Sequence, residues 1–488
     1  METFYHQLTQ GSALLLIIIL GFGGSFQSGY HITGLSSPSP YIQHFINSTW
    51  YDRYKEPPAP QKVTMIWSLI VSMYAVGGLF GAVSVKLFSR RLGRKQAMIC
   101  NSLISIIGAV IMLTSKEAKS FEMIIVARTL YGYSSGLGVS LHLMYLGEIS
   151  PRKIRGRVTL TSATFTSLGK LSGQFFGLSE ILGGQDVWHI LLCVPVCFSV
   201  VQVLVLPFLP EAPRYLFIEK GDDIACKSAL QSLWGNSDYK EEMEEMLIEH
   251  MALEASPPKS PLQLLKNRTV RWQLITMFVI YCCNQMSGMT AISTFSFFLN
   301  AGVPRDKIRY VTLGLGISEI LTSISCSLVI ENTGRRPLFW GGYAVMSAIW
   351  MVVTVMLNLK DLSWVPYATS SLIFLFIISF CGGPGAATAT LSSEIFIQSD
   401  RLAAFVLMGL HRWFLFAVMG LIFPFIIDAF SSYCFLLFAG VCVPGSLYTF
   451  FLLPETKGKT LVDISEEFKA ITVCGKSFLE EEKVETKL

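Results

Sequence analysis

The sequence predicts an all-α membrane protein of about twelve transmembrane helices, arranged as two halves of six with a helical insert on the cytoplasmic side between them. Three observations carry this. Hydrophobic residues make up 52% of the 488 positions and charged ones 15%, with a mean hydropathy of +0.51, far more apolar surface than one water-soluble core needs. Apolar runs long enough to cross about 30 Å of hydrocarbon recur along the chain, and each must be helical because lipid offers exposed backbone groups no partner. Finally, short charged motifs in the first half return about 240 residues later.

The approximate spans are 11–34, 65–88, 96–115, 121–147, 158–182 and 188–209, then 270–298, 308–330, 337–357, 366–392, 403–428 and 432–453, numbered here 1 to 12. The run Leu14 to Leu20 lacks a small-residue cleavage site and continues into a Gly-rich stretch, so it reads as a retained first span rather than a signal peptide. The chain is thereby expected to divide into a six-helix bundle over 1–209, a linker of short helices over 210–267, a second bundle over 268–453 and a charged tail over 454–488. Within the linker, Glu241-Glu242-Met243-Glu244-Glu245 and the Pro257-Pro258 break mark soluble surface helices.

Basic residues set the orientation. Arg90, Arg91, Arg94 and Lys95 follow span 2, while Arg152, Lys153, Arg155 and Arg157 follow span 4, and short loops rich in Lys and Arg stay inside. Both termini and the insert then face the cytoplasm. The sequon Asn47-Ser48-Thr49 falls outside as a glycosylation site, whereas Asn267-Arg268-Thr269 falls inside and stays bare. A formal charge of +4 is too small to point to nucleic acid. Many of the 11 cysteines, including Cys100, Cys193, Cys197, Cys282, Cys283 and Cys326, lie inside apolar runs as small hydrophobes, with no disulfide framework or metal spacing. No cofactor is expected.

The echoes are Gly93-Arg94-Lys95 with Gly334-Arg335-Arg336, Glu148 and Arg155 with Glu394 and Arg401, and Pro210-Glu211 with Pro454-Glu455. Each puts charge at the cytoplasmic ends of helices, where an arginine fork can hold a carboxylate or a helix C-terminus. Positive-inside bias alone explains the arginines but not the matched glutamates. The expectation is a gate in which Arg94, Glu148, Arg155 and Glu211 in one half, with Arg335, Arg336, Glu394, Arg401 and Glu455 in the other, hold the outward-facing state and part when it turns inward.

These motifs, together with Tyr145-Leu146-Gly147-Glu148, Pro210-Glu211-Ala212-Pro213-Arg214 and Pro454-Glu455-Thr456-Lys457-Gly458-Lys459-Thr460, resemble those of the sugar-porter family of the major facilitator superfamily, specifically its facilitative hexose transporters. The likeness runs from Gly21 to Thr460. It implies a central sugar site and uniport of a hexose across the plasma membrane by alternating access. Ala389 stands where glucose-preferring members carry tryptophan, which is similar to the class containing the fructose transporter.

Sugar recognition needs amides, hydroxyls and an aromatic face. Span 7 supplies Asn284, Gln285, Ser287 and Thr290, a stretch similar to the family's Gln-Gln-Leu-Ser-Gly segment, with Gln285 retained, Asn284 replacing a glutamine and Thr290 an asparagine. Ser287 and Gly288 read better as packing residues. Gln174 in span 5 joins the candidates. Trp413 in span 11, beside His411 and Arg412, matches the family's tryptophan next to the sugar and lies about ten residues inside its span, too deep for an interfacial belt. Gly382-Gly383-Pro384-Gly385 interrupts span 10, as a bend or as close packing.

The chain departs from the family at three ionisable positions, Lys170 in span 5, Glu319 in span 8 and Arg412. By motif alignment Lys170 replaces an apolar cavity residue, Glu319 a sugar-contacting asparagine, and Ala163 a glutamine important for hexose choice. The resemblance places spans 5 and 8 opposite one another, so Lys170 and Glu319 are candidates for a buried pair; the competing readings are a snorkelling lysine or a charge that meets an anionic solute. His31 stands where proton-coupled porters carry aspartate, and is read as a neutral hydrogen-bonding imidazole or, alternatively, a proton site. Proton-linked or organic-anion transport, urate for example, and a non-transporting sugar sensor are the other functions weighed. A membrane enzyme is the weakest reading, since no nucleophile and base, metal spacing or phosphate loop stands among the spans.

Overall fold

The computed structural model describes residues 11–151, 155–235, 239–255, 259–294, 302–359, 361–396, 398–457, 459 and 461–470. Every regular element among the described residues is helical. Seven stretches are long and apolar enough to cross a bilayer, and two of them, Pro60–Ser115 and Ala403–Phe451, are long enough for two crossings each. Three more long helices, Phe121–Ile149, Arg155–Phe176 and Arg305–Thr333, are less apolar because they carry residues such as Arg128, Lys170 and Glu319. Together these make the twelve crossings. They belong to two compact units dividing near residue 256: Met1–Ser256 is the bulk of the first, and Pro257–Ile292, Phe297–Met419 and Phe423–Leu488 form the second.

In the first unit, span 1 is Ala13–Gly23 followed by Ser25–Thr33, broken at Gly24. Spans 2 and 3 run through Pro60–Ser115, interrupted only at Gly93, whose φ of 82° and ψ of −176° suit glycine alone. Spans 2 and 4 approach backbone to backbone. A Cβ on Gly132 would collide with the Tyr74 carbonyl, one on Gly136 with that of Gly78, and one on Gly77 with that of Thr129. Lipid provides no hydrophobic drive between helices, so small residues that let backbones meet supply the attraction by dispersion.

Linker helices Asp223–Trp234 and Lys240–Ala255 fold onto this unit. Cys226, Leu230, Leu233 and Trp234 share a core with Tyr145, Leu146 and Ile149 at the end of span 4. The Trp234 indole donates to the Ile149 carbonyl at 2.9 Å, satisfying one of the carbonyls orphaned at a helix end. Residues from Pro257 onward go with the second unit, so the stretch read from the sequence as one linker divides between the two.

The second unit repeats the pattern. Span 7 is Arg271–Gln285 then Met289–Thr294, span 8 Arg305–Thr333, and span 9 Arg336–Asn358. Between spans 8 and 9 Gly334 takes φ 84° and ψ 166°, the same conformation as Gly93. Span 10 is Val365–Gly382 and Pro384–Ile395, interrupted where the glycine-proline run stands. Span 11 is Gln398–Phe430 and span 12 Phe435–Phe451, followed by a short helix Leu461–Lys469.

Candidate functional site

Span 7 loses its helix at 286–288, where a side chain of span 9 holds a freed carbonyl and side chains of spans 9 and 10 orient the amide just before the break. Gly288 turns at φ 99° against the rings of Trp350 and Phe438. The Trp350 indole donates to the Ser287 carbonyl at 2.7 Å, and Ser287 donates its hydroxyl back to the Asn284 carbonyl at 2.7 Å. Ser287 and Gly288 therefore pack the break. Asn284 is oriented from both ends: its Oδ1 accepts from the Tyr343 hydroxyl at 2.7 Å and its Nδ2 donates to Thr388 Oγ1 at 2.6 Å. One residue on, Gln285 Nε2 donates to Thr290 Oγ1 at 2.6 Å. An amide has two N–H donors and an oxygen with two lone pairs, so both half-buried amides keep capacity beyond these bonds.

On span 11 Trp413 is half-buried, its ring centroid 6.2 Å from that of Phe416. His411 meets the Phe278 ring edge-on at 4.8 Å, and Arg412 is exposed. Glu319 is half-buried on span 8. In the first unit Lys170 and Gln174 lie one helical turn apart on span 5, both half-buried. Gln174 Oε1 is a buried acceptor without a hydrogen-bond partner among the described residues. Neither Lys170 nor Glu319 lacks a partner, and they belong to different units. Ala163 is exposed, whereas the side chain of Ala389 lies outside the described residues.

His31 stacks on Tyr131 with ring centroids 4.1 Å apart, and neither ring nitrogen has a hydrogen-bond partner among the described residues. Beside it stands a residue the sequence reading passed over. Arg128, 1% exposed, donates to the carbonyls of His31 at 3.1 Å and Ile70 at 3.4 Å and lies 4.5 Å over the Tyr74 ring. A lone arginine inside an apolar run was the available signal. A second missed feature is a polar seam through the unit, with Gln27 donating to Ser199 at 2.7 Å and accepting from Ser105 at 3.0 Å, and Ser25 bonded to His142 and Ser162, each at 2.7 Å.

The charged motifs build one arrangement twice. In the first unit Arg94 reaches Glu148 Oε1 with Nε at 3.0 Å and Nη2 at 2.7 Å, pairs with Glu219 at 2.7 Å and stacks on Tyr215 at 4.6 Å. Glu211 accepts from the Lys95 backbone N–H at 3.0 Å. In the second, Arg335 pairs with Glu394 at 2.7 Å, Thr456 donates to the other Glu394 oxygen at 2.7 Å, and Glu455 accepts from the backbone N–H groups of Arg335 at 2.9 Å and Arg336 at 3.2 Å. Each pair closes inside its own half. Burial works to raise the Glu455 pKa, but the N–H groups of Arg335, Lys457, Arg336 and Thr456 outweigh it and hold the carboxyl below its ordinary value. The Arg336 guanidinium donates to the Phe450 carbonyl and Arg401 to that of Phe396 at 3.4 Å. The side chain of Arg155 lies outside the described residues, as do Arg152 and Lys153.

Two further contacts were not read from the sequence. Lys259 pairs with Asp400 at 3.0 Å, the aspartate side chain being 1% exposed. On the helix Ser39–Tyr54, which carries exposed Asn47, Arg53 forks onto Glu122 at 2.6 and 3.1 Å.

Two six-helix units with broken spans 1, 7 and 10, and a duplicated arginine–glutamate arrangement at corresponding helix ends, define a membrane carrier of the major facilitator fold. The chain superposes on the inward-open xylose transporter XylE from E. coli with a TM-score of 0.76 at 16% identity, covering 93% of this chain and 99% of that one. Residues 16–468 match the family described as "Sugar (and other) transporter", and the chain belongs to that family. Over 460 residues it is 42% identical to the Mus musculus "Solute carrier family 2, facilitated glucose transporter member 9", covering 94% of this chain and 86% of that one. Over 458 residues it is 40% identical to member 5 of the same series from Bos taurus, covering 93% and 91%.

Proposed function

We propose that this protein carries a hexose, fructose or glucose, down its gradient across the plasma membrane by alternating access of its two units. Both termini and the linker face the cytoplasm, and Asn47 is the glycosylated outer residue. The observation that carries the reading is the amide and hydroxyl cluster at the break of span 7, where Asn284, Gln285 and Thr290 offer donors and acceptors but no charge, as a neutral polyol requires. Names among the relatives, "facilitated glucose transporter", support the solute class. Gln285, Asn284 and Thr290 bond the hydroxyls, Trp413 covers an apolar face of the ring, and Gln174 contributes its unpartnered carbonyl. Lys170 in the first unit and Glu319 in the second add one charge each to the candidate solute-binding residues. The Arg94, Glu148, Glu211 set and its repeat, Arg335, Arg336, Glu394, Glu455, with Arg155 and Arg401, brace the inner helix ends during the cycle.

Arg128 speaks against the proton-linked variant. It sets a fixed positive charge beside the His31 carbonyl, and a proton added to the imidazole would share that pocket with it. The test is counterflow of labelled sugars into proteoliposomes across a panel of hexoses, pentoses and small organic anions. Saturable exchange of a hexose is the expected result; binding without exchange, or exchange of anions alone, overturns the reading.

A further inference from the structure

The segment joining the linker to the second unit reads Lys259-Ser260-Pro261, and three of its features converge. Ser260 is extended at φ −75° and ψ 155°, the conformation a following proline imposes and the one in which peptides lie along a kinase groove. Its hydroxyl is only loosely engaged, accepting from the Gln263 N–H at 3.3 Å. The six-residue helix that follows, Pro261–Lys266, exposes Leu262 by 72% and Leu265 by 49%, so opening it locally forfeits little apolar burial. Directly before the serine, Lys259 holds Asp400 at 3.0 Å. Asp400 lies in the first turn of span 11, next to Arg401 and six residues beyond Glu394.

We propose that Ser260 is a phosphorylation site for a proline-directed protein kinase, and that a phosphate there draws Lys259 away from Asp400 and loosens the start of span 11. In the transfer a bond forms between Ser260 Oγ and the γ-phosphorus of a nucleoside triphosphate. The bond from that phosphorus to the β-bridging oxygen breaks, the hydroxyl proton passes to the kinase base, and the nucleoside diphosphate leaves. The product carries about −1.5 to −2 charges on the half-buried residue adjoining Lys259. The ammonium then has a strong partner in competition with Asp400. Removing the cation from a carboxylate with 1% exposure breaks a buried ion pair from one side only, which is the costly way to break it. The regulation goes beyond the transport reading and rests on it only for the cytoplasmic side of the linker.

The test uses the purified full chain in detergent with a proline-directed kinase and magnesium ATP, in a Ser256→Ala background because Ser256 precedes a proline in the same segment, and scores the phosphate on the peptide carrying residue 260 because Ser37, Ser39 and Ser150 precede prolines elsewhere. Mass spectrometry is expected to find one phosphate on Ser260, none in Ser260→Ala and a strongly slowed reaction in Pro261→Ala. Hydrogen exchange of the span 11 start is expected to speed up on phosphorylation, to be fast already in Lys259→Gln, and to show no further response in Asp400→Asn. A folded chain left unmodified while a free peptide of residues 255–270 is phosphorylated overturns the site. A phosphate that leaves exchange at 398–404 unchanged overturns the release of Lys259. Neither readout needs a transported solute or a sealed bilayer, so a missing sugar exchange would strike the transport reading alone.

Discussion

Replacing Tyr343 by phenylalanine removes one hydroxyl on a fully buried residue that donates its single proton to Asn284 Oδ1 at 2.7 Å, with the Ile280 carbonyl 3.3 Å away. The ring remains, so packing against spans 7 and 12 is kept. The Asn284 oxygen, in contrast, loses the donor that fixes which way the amide points; only the 2.6 Å bond to Thr388 still orients it. A net hydrogen bond is worth about 1 kcal/mol, rising to about 3 when a buried acceptor is stranded. Asn284 is half-buried and its oxygen can turn to the solute or water, which places the cost near the lower figure, about fivefold in an equilibrium constant. Initial rates of sugar exchange in proteoliposomes should then show KM raised about fivefold with the maximal rate little changed. Because the hydroxyl acts through the amide, adding Asn284→Ala to Tyr343→Phe should cost no more than Asn284→Ala alone. Additive losses, or an unchanged KM in Tyr343→Phe, would refute the orienting role.

Gly93→Ala and Gly334→Ala should each lower thermal stability by about 1 to 3 kcal/mol through positive-φ strain, while Gly341→Ala, inside a helix with nothing within 4 Å of the added carbon, should leave stability unchanged or raise it, alanine being the better helix former; melting of the detergent-solubilised protein measures all three. Neutralising Lys170 with methionine should slow exchange more than neutralising Lys170 and Glu319 together, and equal damage dismisses their pairing. Uptake should be indifferent to an imposed pH gradient, and a gradient-driven accumulation of sugar would make His31 a proton site after all. Since the folded pKa of Glu455 lies below the ordinary 4.5, its contribution to stability is complete above that value and is lost as pH falls through the lowered one. Melting temperature should therefore drop in acid less steeply in Glu455→Gln than in the parent chain.

What the sequence made legible is what periodicity and repetition encode. Span positions followed from apolar run length, and the matched arginines and glutamates stood out as an echo that composition could not produce by chance, but that each arginine holds a glutamate of its own half did not follow from it. Hidden were the partners that sequence distance separates. Nothing near Asn284 in the chain points to Tyr343 or Thr388, which lie 59 and 104 residues away, and Thr388 is legible only as one hydroxyl in an alternating Ala-Thr run. Arg128 was hidden differently: the lone charge in an apolar run signalled a role, but not that the Tyr74 ring and the carbonyls of His31 and Ile70 would hold it. The duplication also carries a physical consequence beyond recognition. The positive φ at Gly93 and Gly334 turns the following N–H groups, that of Lys95 and those of Arg335 and Arg336, toward Glu211 and Glu455, and a Cβ at either glycine would sit within 2.9 Å of that carboxylate. The glycine and its capping glutamate, Glu211 or Glu455, are thus one unit, in which the glycine makes room for the carboxylate and the carboxylate satisfies the backbone the glycine exposes, while the arginine side chain is held separately by Glu148 or Glu394. Changing either the glycine or its capping glutamate releases the other, so Gly93→Ala and Glu211→Gln, or Gly334→Ala and Glu455→Gln, should converge on one phenotype in melting and exchange assays, whereas replacing the arginine frees Glu148 or Glu394 instead.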